Sequence, residues 1–205
     1  MRRSGALLMA LCAVLLLAGG CVYSGMNGLV GSPTRVTQEY DLDDFTAVET
    51  GGAFKVNITQ GDEYSVAVTT NENVAPYLRV EQSGGTLSLG LENLWNFRNV
   101  TLEAEITVPA LRGVSLSGAS HGTISGFSSD ENFSANLSGA SSLRGAITAG
   151  DADLEGSGAA RIELTGAGND LRLHLSGASN AELGDFPVQG ADVEASGASH
   201  ALVNV

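Results

Sequence analysis

Residues 171–183 read LRLHLSGASNAEL, and near-copies of the centre of this stretch stand at 114–124 (VSLSGASHGTI), 135–145 (ANLSGASSLRG), 153–163 (DLEGSGAARIE) and 193–203 (VEASGASHALV). The glycines of the five Ser-Gly-Ala motifs are Gly118, Gly139, Gly158, Gly177 and Gly197, at spacings of 21, 19, 19 and 20 residues. A sustained period near 20 marks a stacked-repeat architecture rather than a globule. Aligned on these glycines, the residues two positions earlier are Leu116, Leu137, Gly156, Leu175 and Ala195, and those four earlier are Val114, Ala135, Leu154, Leu173 and Val193. Apolar columns at a spacing of two belong to strands with one face turned inward. Four residues after the glycine come Leu143, Ile162, Ala181 and Ala201, and six after come Ile124, Leu164, Leu183 and Val203, so a second strand follows each motif.

Each repeat therefore reads as strand, tight corner, strand, and a further turn such as TAGD (148–151) or LGDF (183–186) leading into the next rung. Rungs stacked in parallel at about 4.8 Å make an all-β, parallel β-helix with roughly 20-residue rungs and a strand-rich first half. At a corner repeated in every rung, glycine supplies a backbone conformation that other residues resist. The alanine fits where corners stack, and serine hydroxyls can bond neighbouring backbone without adding bulk. Leucine-rich repeats share the period, but they require an asparagine ladder; the positions matching Asn180 hold His121, Ser142, Arg161 and His200.

Upstream of the repeats, AFKVNIT (53–59) and YSVAVTT (64–70) alternate apolar and polar residues, and QGDE between them predicts a hairpin turn. TLSLGLE and VTLEAEITVP keep the same period, and no stretch carries a 3.6-residue period, so almost no helix is expected.

The chain opens MRRSGALLMALCAVLLLAGGC: two arginines, an uncharged apolar run over 5–18, and two glycines before Cys21. The run is shorter than the roughly 20 residues a spanning helix needs, so a secretory signal over 1–20 is expected instead. The placement of Cys21 resembles a bacterial lipobox, with Ala18 where leucine is usual, and implies lipidation of Cys21; Val22 after it implies sorting to an outer membrane. Cys12 lies within the signal, so no disulfide is expected in the mature chain. Residues 21–36, small and uncharged at first, suit a flexible tether, and 37–205 a single β-solenoid domain with its repeats at about 110–205. The formal charge of −13 excludes nucleic acid as a partner.

Several motifs invite a chemical reading. GAGND (166–170) resembles one calcium-binding nonapeptide, but no tandem copy stands beside it, and a turn is expected. His121 and His200 share a column four rungs apart, too far to ligate one metal, and neither metal nor cofactor is expected. Ser117, Ser138, Ser157, Ser176 and Ser196 form a structural ladder rather than a set of nucleophiles, and no catalytic residue is assigned. The acids of DLDDF (Asp41, Asp43, Asp44), DADLE (Asp151, Asp153, Glu155) and DVE (Asp192, Glu194) read as a solvated face. LENLWNFRN (91–99) holds Trp95 and Phe97, expected to close the core or form an edge loop, and candidate contacts for a sugar ring.

The passages FTAVETGGAFKVNITQGDEYSVAVTTNENV and ITVPALRGVSLSGAS, together with the recurring corners, resemble the autotransporter-adhesin head domain (GIN domain) family, bacterial proteins of unknown function. The resemblance spans about 40–205 and implies a pectin-lyase-like β-helix without those enzymes' catalytic residues, and a role in adhesion. The expected function is thus a non-enzymatic, lipid-anchored envelope protein presenting a rigid β-solenoid, held to the membrane through its anchor. The alternative is a carbohydrate-binding or polysaccharide-degrading β-helix with a glycan as partner. Lastly, ASHALVNV (198–205 with Ala198 first of its corner pair, after Gly197) carries no Lys or Pro, so the C-terminal rung is expected to meet another copy or an envelope partner, or to be covered by the first-half strands.

Overall fold

The computed structural model describes residues 28–92 and 96–205. In chain order the strands are β1 (Leu29–Val30), β2 (Arg35–Tyr40), β3 (Ala47–Thr50), β4 (Lys55–Gln60) and β5 (Ser65–Asn71); a single 3-10 turn (Ala75–Tyr77) leads to β6 (Leu78–Ser83). Next come β7 (Thr86–Leu91), β8 (Phe97–Arg98), β9 (Leu102–Val108), β10 (Gly113–Leu116), β11 (His121–Ser128), β12 (Phe133–Leu137) and β13 (Ser142–Thr148). The last are β14 (Ala152–Gly156), β15 (Arg161–Ala167), β16 (Asp170–Leu175), β17 (Asn180–Pro187), β18 (Gly190–Ala195) and β19 (His200–Asn204). The fold is all-β, and its two long sheets are mostly parallel and open-edged. One runs β18-β16-β14-β12-β10-β3-β7-β6, the other β19-β17-β15-β13-β11-β4-β9-β5-β2.

Each Ser-Gly-Ala motif carries the chain from the first sheet to the second, and the columns expected to face inward do so. Val114, Leu116, Leu154, Leu173 and Leu175 on one side and Ile124, Leu143, Ile162 and Leu183 on the other are at most 3% exposed. A buried leucine of this kind stabilises the fold by about 2 kcal/mol relative to leaving it in water. Aromatic rings (Phe45, Phe127, Phe133 and Phe186) fill the core away from the corners.

The corner glycines have φ between 72° and 78°. Position and neighbours both exclude a side chain: a Cβ on Gly158 would lie 2.8 Å from the carbonyl oxygen of Gly139, and one on Gly177 would lie 2.6 Å from that of Gly158. The close approach exists because the alanine amide of each corner donates to the glycine carbonyl of the corner before it, as from Ala159 to Gly139 and from Ala178 to Gly158, both at 2.7 Å. The second serine of SGAS is the buried lock. Ser120, Ser141 and Ser179 are at most 1% exposed and donate to the carbonyls of Ser117, Ser138 and Ser176 at 2.8–2.9 Å.

The stack begins earlier than the Ser-Gly-Ala spelling. β3 and β4 pair in register with β10 and β11, and Gly52, with φ 85°, sits beneath Gly118. Beyond them, β7 and β9 add a parallel layer, with β8 between them in the chain where the other layers have a tight corner. β6 and β5 then run antiparallel to β7 and β9, and β2 antiparallel to β5.

Three local expectations are corrected. QGDE does not make a hairpin, because β9 lies between β4 and β5 in the sheet. LGDF is not a turn: Leu183–Phe186 continues β17, and the chain turns at Val188 and Gln189. The first-half strands do not cover the C-terminal rung, since β2, β5 and β6 stack at the opposite end. GAGND does form the connection from β15 into β16. Within the stretch read as a tether, β1 pairs with β8 and β2 begins at Arg35. Asn71, 5% exposed, donates to the Ser32 carbonyl at 2.6 Å and accepts from the Thr101 amide at 2.7 Å, while Asn73 accepts from the Ser32 amide and donates to the Val30 carbonyl, both at 2.8 Å.

Candidate functional site

Alternation along a strand sends the residues between the core columns to the outside. On the first sheet this makes two outward rows that cross the strands. Register places Glu49, Ser115, Asn136, Glu155, His174 and Glu194 in one, and Ala47, Gly113, Ser134, Asp153, Arg172 and Asp192 in the other. The first row, with the corner serines beside it, lines a groove of about 930 Å³. Ser134, Asp153, Arg172 and Asp192 of the second row border a smaller one of about 690 Å³ that also includes Arg112, Asp151 and Asp170.

Toward the β18 edge of this face lies an acid–base–acid arrangement on three adjacent strands, β14, β16 and β18. Arg172 reaches the Asp153 carboxylate at 3.7 Å, and Nδ1 of His174 lies 3.1 Å from an oxygen of Glu194. Both pairs are solvated, with side-chain exposures of 61 and 47% and of 38 and 74%, so each contributes at most about 1 kcal/mol to stability. Their value lies in arrangement: repeated carboxylates, amides and hydroxyls at strand spacing offer a row of hydrogen-bonding groups to an extended polar ligand. The corner hydroxyls of Ser117, Ser157 and Ser196 make only long bonds, 3.4 Å, to the carbonyl of the preceding rung.

The acids of DADLE and DVE thus do lie on a solvated face, with bases interleaved from β16. That interleaving was available in the sequence, since the column three residues before each motif glycine contains Glu155, His174 and Glu194. The three histidines are not brought together: His174 is on the first sheet, while His121, bonded to the Ser142 hydroxyl at 2.7 Å, and His200 are on the second. Among the described residues no group of three or more His, Cys, Asp or Glu is disposed to hold a metal ion. Cys21 and Trp95 lie outside the described residues. Phe97, the first residue of β8, is half-buried and packs edge-on against Tyr77, with ring centroids 5.9 Å apart; it takes no part in the groove.

Residues 44–205 match the family described as "putative auto-transporter adhesin, head GIN domain", and the chain belongs to that family. Its fold is also that of a "putative adhesin" from Bacteroides fragilis, with a TM-score of 0.80 at 20% identity over 86% of this chain and 83% of that one. A "putative adhesin" from Parabacteroides merdae gives a TM-score of 0.65 at 15% identity, over 85% and 83% of the two chains. A "putative lipid binding protein" from Parabacteroides distasonis gives 0.63 at 15% identity, over 85% and 96%. At such identities the likeness is one of fold. No curated protein matches the chain. The family and two of these three structural relatives carry adhesin descriptions, and none of them an enzyme one.

Proposed function

We propose that the chain is a non-enzymatic adhesin-type envelope protein, exported and held by a lipid on Cys21, that presents a rigid β-solenoid away from an outer membrane. The observation that carries this reading is the position of the N-terminal segment. β1 and β2 are fastened at one end of the stack by Asn71 and Asn73, and β1 begins eight residues after Cys21. Eight residues reach at most about 28 Å, so an anchor at Cys21 would hold that end near the lipid surface and leave the repeats projecting from it. Family membership supports the adhesive role. The test is fractionation with mass spectrometry of the mature N-terminus. A diacylated Cys21 and release of Cys21→Ser from membranes are expected; an unmodified Cys21 rejects the anchor.

The groove with the Glu155, His174 and Glu194 row favours a second reading, in which the same solenoid binds or cleaves a polysaccharide. A glycan array combined with a reducing-end assay separates the two. Retention of a glycan that is lost in His174→Ala supports the second reading, and turnover would make the protein an enzyme.

A further inference from the structure

The two ends of the stack are built differently. At one, β5 and β6 reverse direction over the last parallel layer, β6 ending its sheet and β2 lying outside β5. The edge strands there carry charge: Arg35 and Glu39 on β2, and on β6 an Arg79–Glu81 ion pair at 3.4 Å. At the other end, β18 and β19 are the outermost strands of both sheets. Val193, Leu202 and Val205, three of the four large apolar residues exposed among the described residues, belong to this rung. No Asp, Glu, Lys or Arg occurs between 195 and 205 in a chain of net charge −13.

The rung is nevertheless regular. Gly197 has φ 74°, and the Ala198 amide donates to the Gly177 carbonyl at 2.7 Å, as in every interior corner. Among the described residues its outer side therefore has the cross-section of an interior rung, with unpaired backbone edges on two strands and apolar columns (Ala191, Val193, Ala201 and Val203) between them. What fits such a face is a second face of the same kind.

We propose that two copies of this chain meet through their C-terminal rungs about a two-fold axis, β19 pairing antiparallel with the β19 of the second copy. Antiparallel edges join without any crossover, and the backbone groups of both are satisfied. Centred on Leu202, the pairing sets Leu202 against Leu202, Ala201 against Val203 and His200 against Asn204, so no like charges oppose one another on this sheet. The same axis brings Asp192 and Glu194 of the two copies toward each other, so added salt strengthens association. The capped end offers no matching face, which rules out head-to-tail stacking and makes the assembly a closed dimer rather than a filament.

The dimer has a directional consequence. Strand β2 is at the far end of its nine-stranded sheet from β19, eight intervals or about 38 Å away, so the two capped ends of the dimer point in opposite directions. Resting on the anchored reading above, such a dimer joins two membrane surfaces that face each other, which is homophilic adhesion.

Two experiments separate the dimer from the anchor. Sedimentation equilibrium of the wild-type chain, extracted from membranes in density-matched detergent, is expected to show a monomer–dimer equilibrium that tightens with salt. Leu202→Lys, on the outward face and clear of the core, should weaken it at least tenfold while leaving the melting temperature unchanged. Leu202→Cys should give a disulfide-linked dimer on mild oxidation, and Arg144→Cys, in the same outward column at an interior rung, should not. A monomer at all concentrations, or a ladder of higher oligomers, overturns the proposal. In the second experiment, lipidated chain is inserted into phosphatidylcholine vesicles and clustering is followed by light scattering. Wild type should cluster them and Leu202→Lys should bind without clustering. Bound vesicles that stay dispersed overturn bridging while the anchored reading stands. Failure to insert overturns bridging and the anchor together, with the dimer still decided by sedimentation.

Discussion

The interior of the repeat stack and its open end have nearly the same spelling and different physical standing. Gly158 and Gly197 both sit at left-handed φ, 78° and 74°, against the carbonyl of the previous corner. Gly158 also has a following corner upon it, since the Ala178 amide donates to its carbonyl at 2.7 Å, while Gly197 has none among the described residues. Leu154 is wholly buried; Val193, its equivalent in the last rung, is 38% exposed. A repeat motif thus specifies the shape of a rung, and neighbours on both sides turn that shape into stability.

Substitutions at matched positions break this comparison most directly. Gly158→Val combines positive-φ strain with a backbone collision and is expected to destabilise the fold by about 3 kcal/mol or more in thermal melts. Gly197→Val should cost the global fold far less and fray only the last rung, seen as faster amide exchange in β18 and β19. Equal losses in both would mean that position in the stack does not matter. At the capped end, Asn71→Ala leaves the Ser32 carbonyl and the Thr101 amide without their partner, an expected loss of about 1–3 kcal/mol by chemical denaturation. Smaller again is Ser179→Ala, about 1 kcal/mol for a buried hydroxyl that locks its corner at 2.8 Å. Ser157→Ala, whose bond is 3.4 Å long and part-buried, should fall within about 0.5 kcal/mol of wild type, and a larger loss there than at Ser179 would reverse the roles assigned to the two serines.

The smallest effect concerns pH. Burial raises the Tyr40 phenol above its ordinary value of 10.0. The folded state then holds the phenolic proton more tightly than the unfolded one, so the contribution is present below the unfolded value and is lost as pH rises through the folded one. Tyr40→Phe should accordingly flatten the alkaline limb of the stability profile, and an unchanged limb would contradict it.

Much of the repeat region was legible because its constraints are local and recur: a glycine that must adopt positive φ, and apolar residues two and four positions before it. The first rung escaped because Thr50, Gly51 and Phe54 replace Leu, Ser and Ser around Gly52, and more than sixty residues separate it from Gly118. The expected hairpin failed for a different reason. QGDE has good turn chemistry, but β9 takes the place beside β4, and strand pairing is decided by the whole sheet rather than by the turn. The acid–base rows were partly legible, for alignment on the glycines puts His174 between Glu155 and Glu194. The groove they line depends on the close stacking of the sheets' rungs, which no single repeat displays.

The central proposal is that one end of the stack, capped by antiparallel strands, stays unpaired while the other pairs with a second copy. Amide hydrogen exchange of the wild-type chain across a hundredfold range of concentration tests it strand by strand. Protection of β19 should rise with concentration while protection of β2, the edge strand at the capped end, stays constant. Concentration-independent exchange in β19, or an equal rise in β2, would contradict the account.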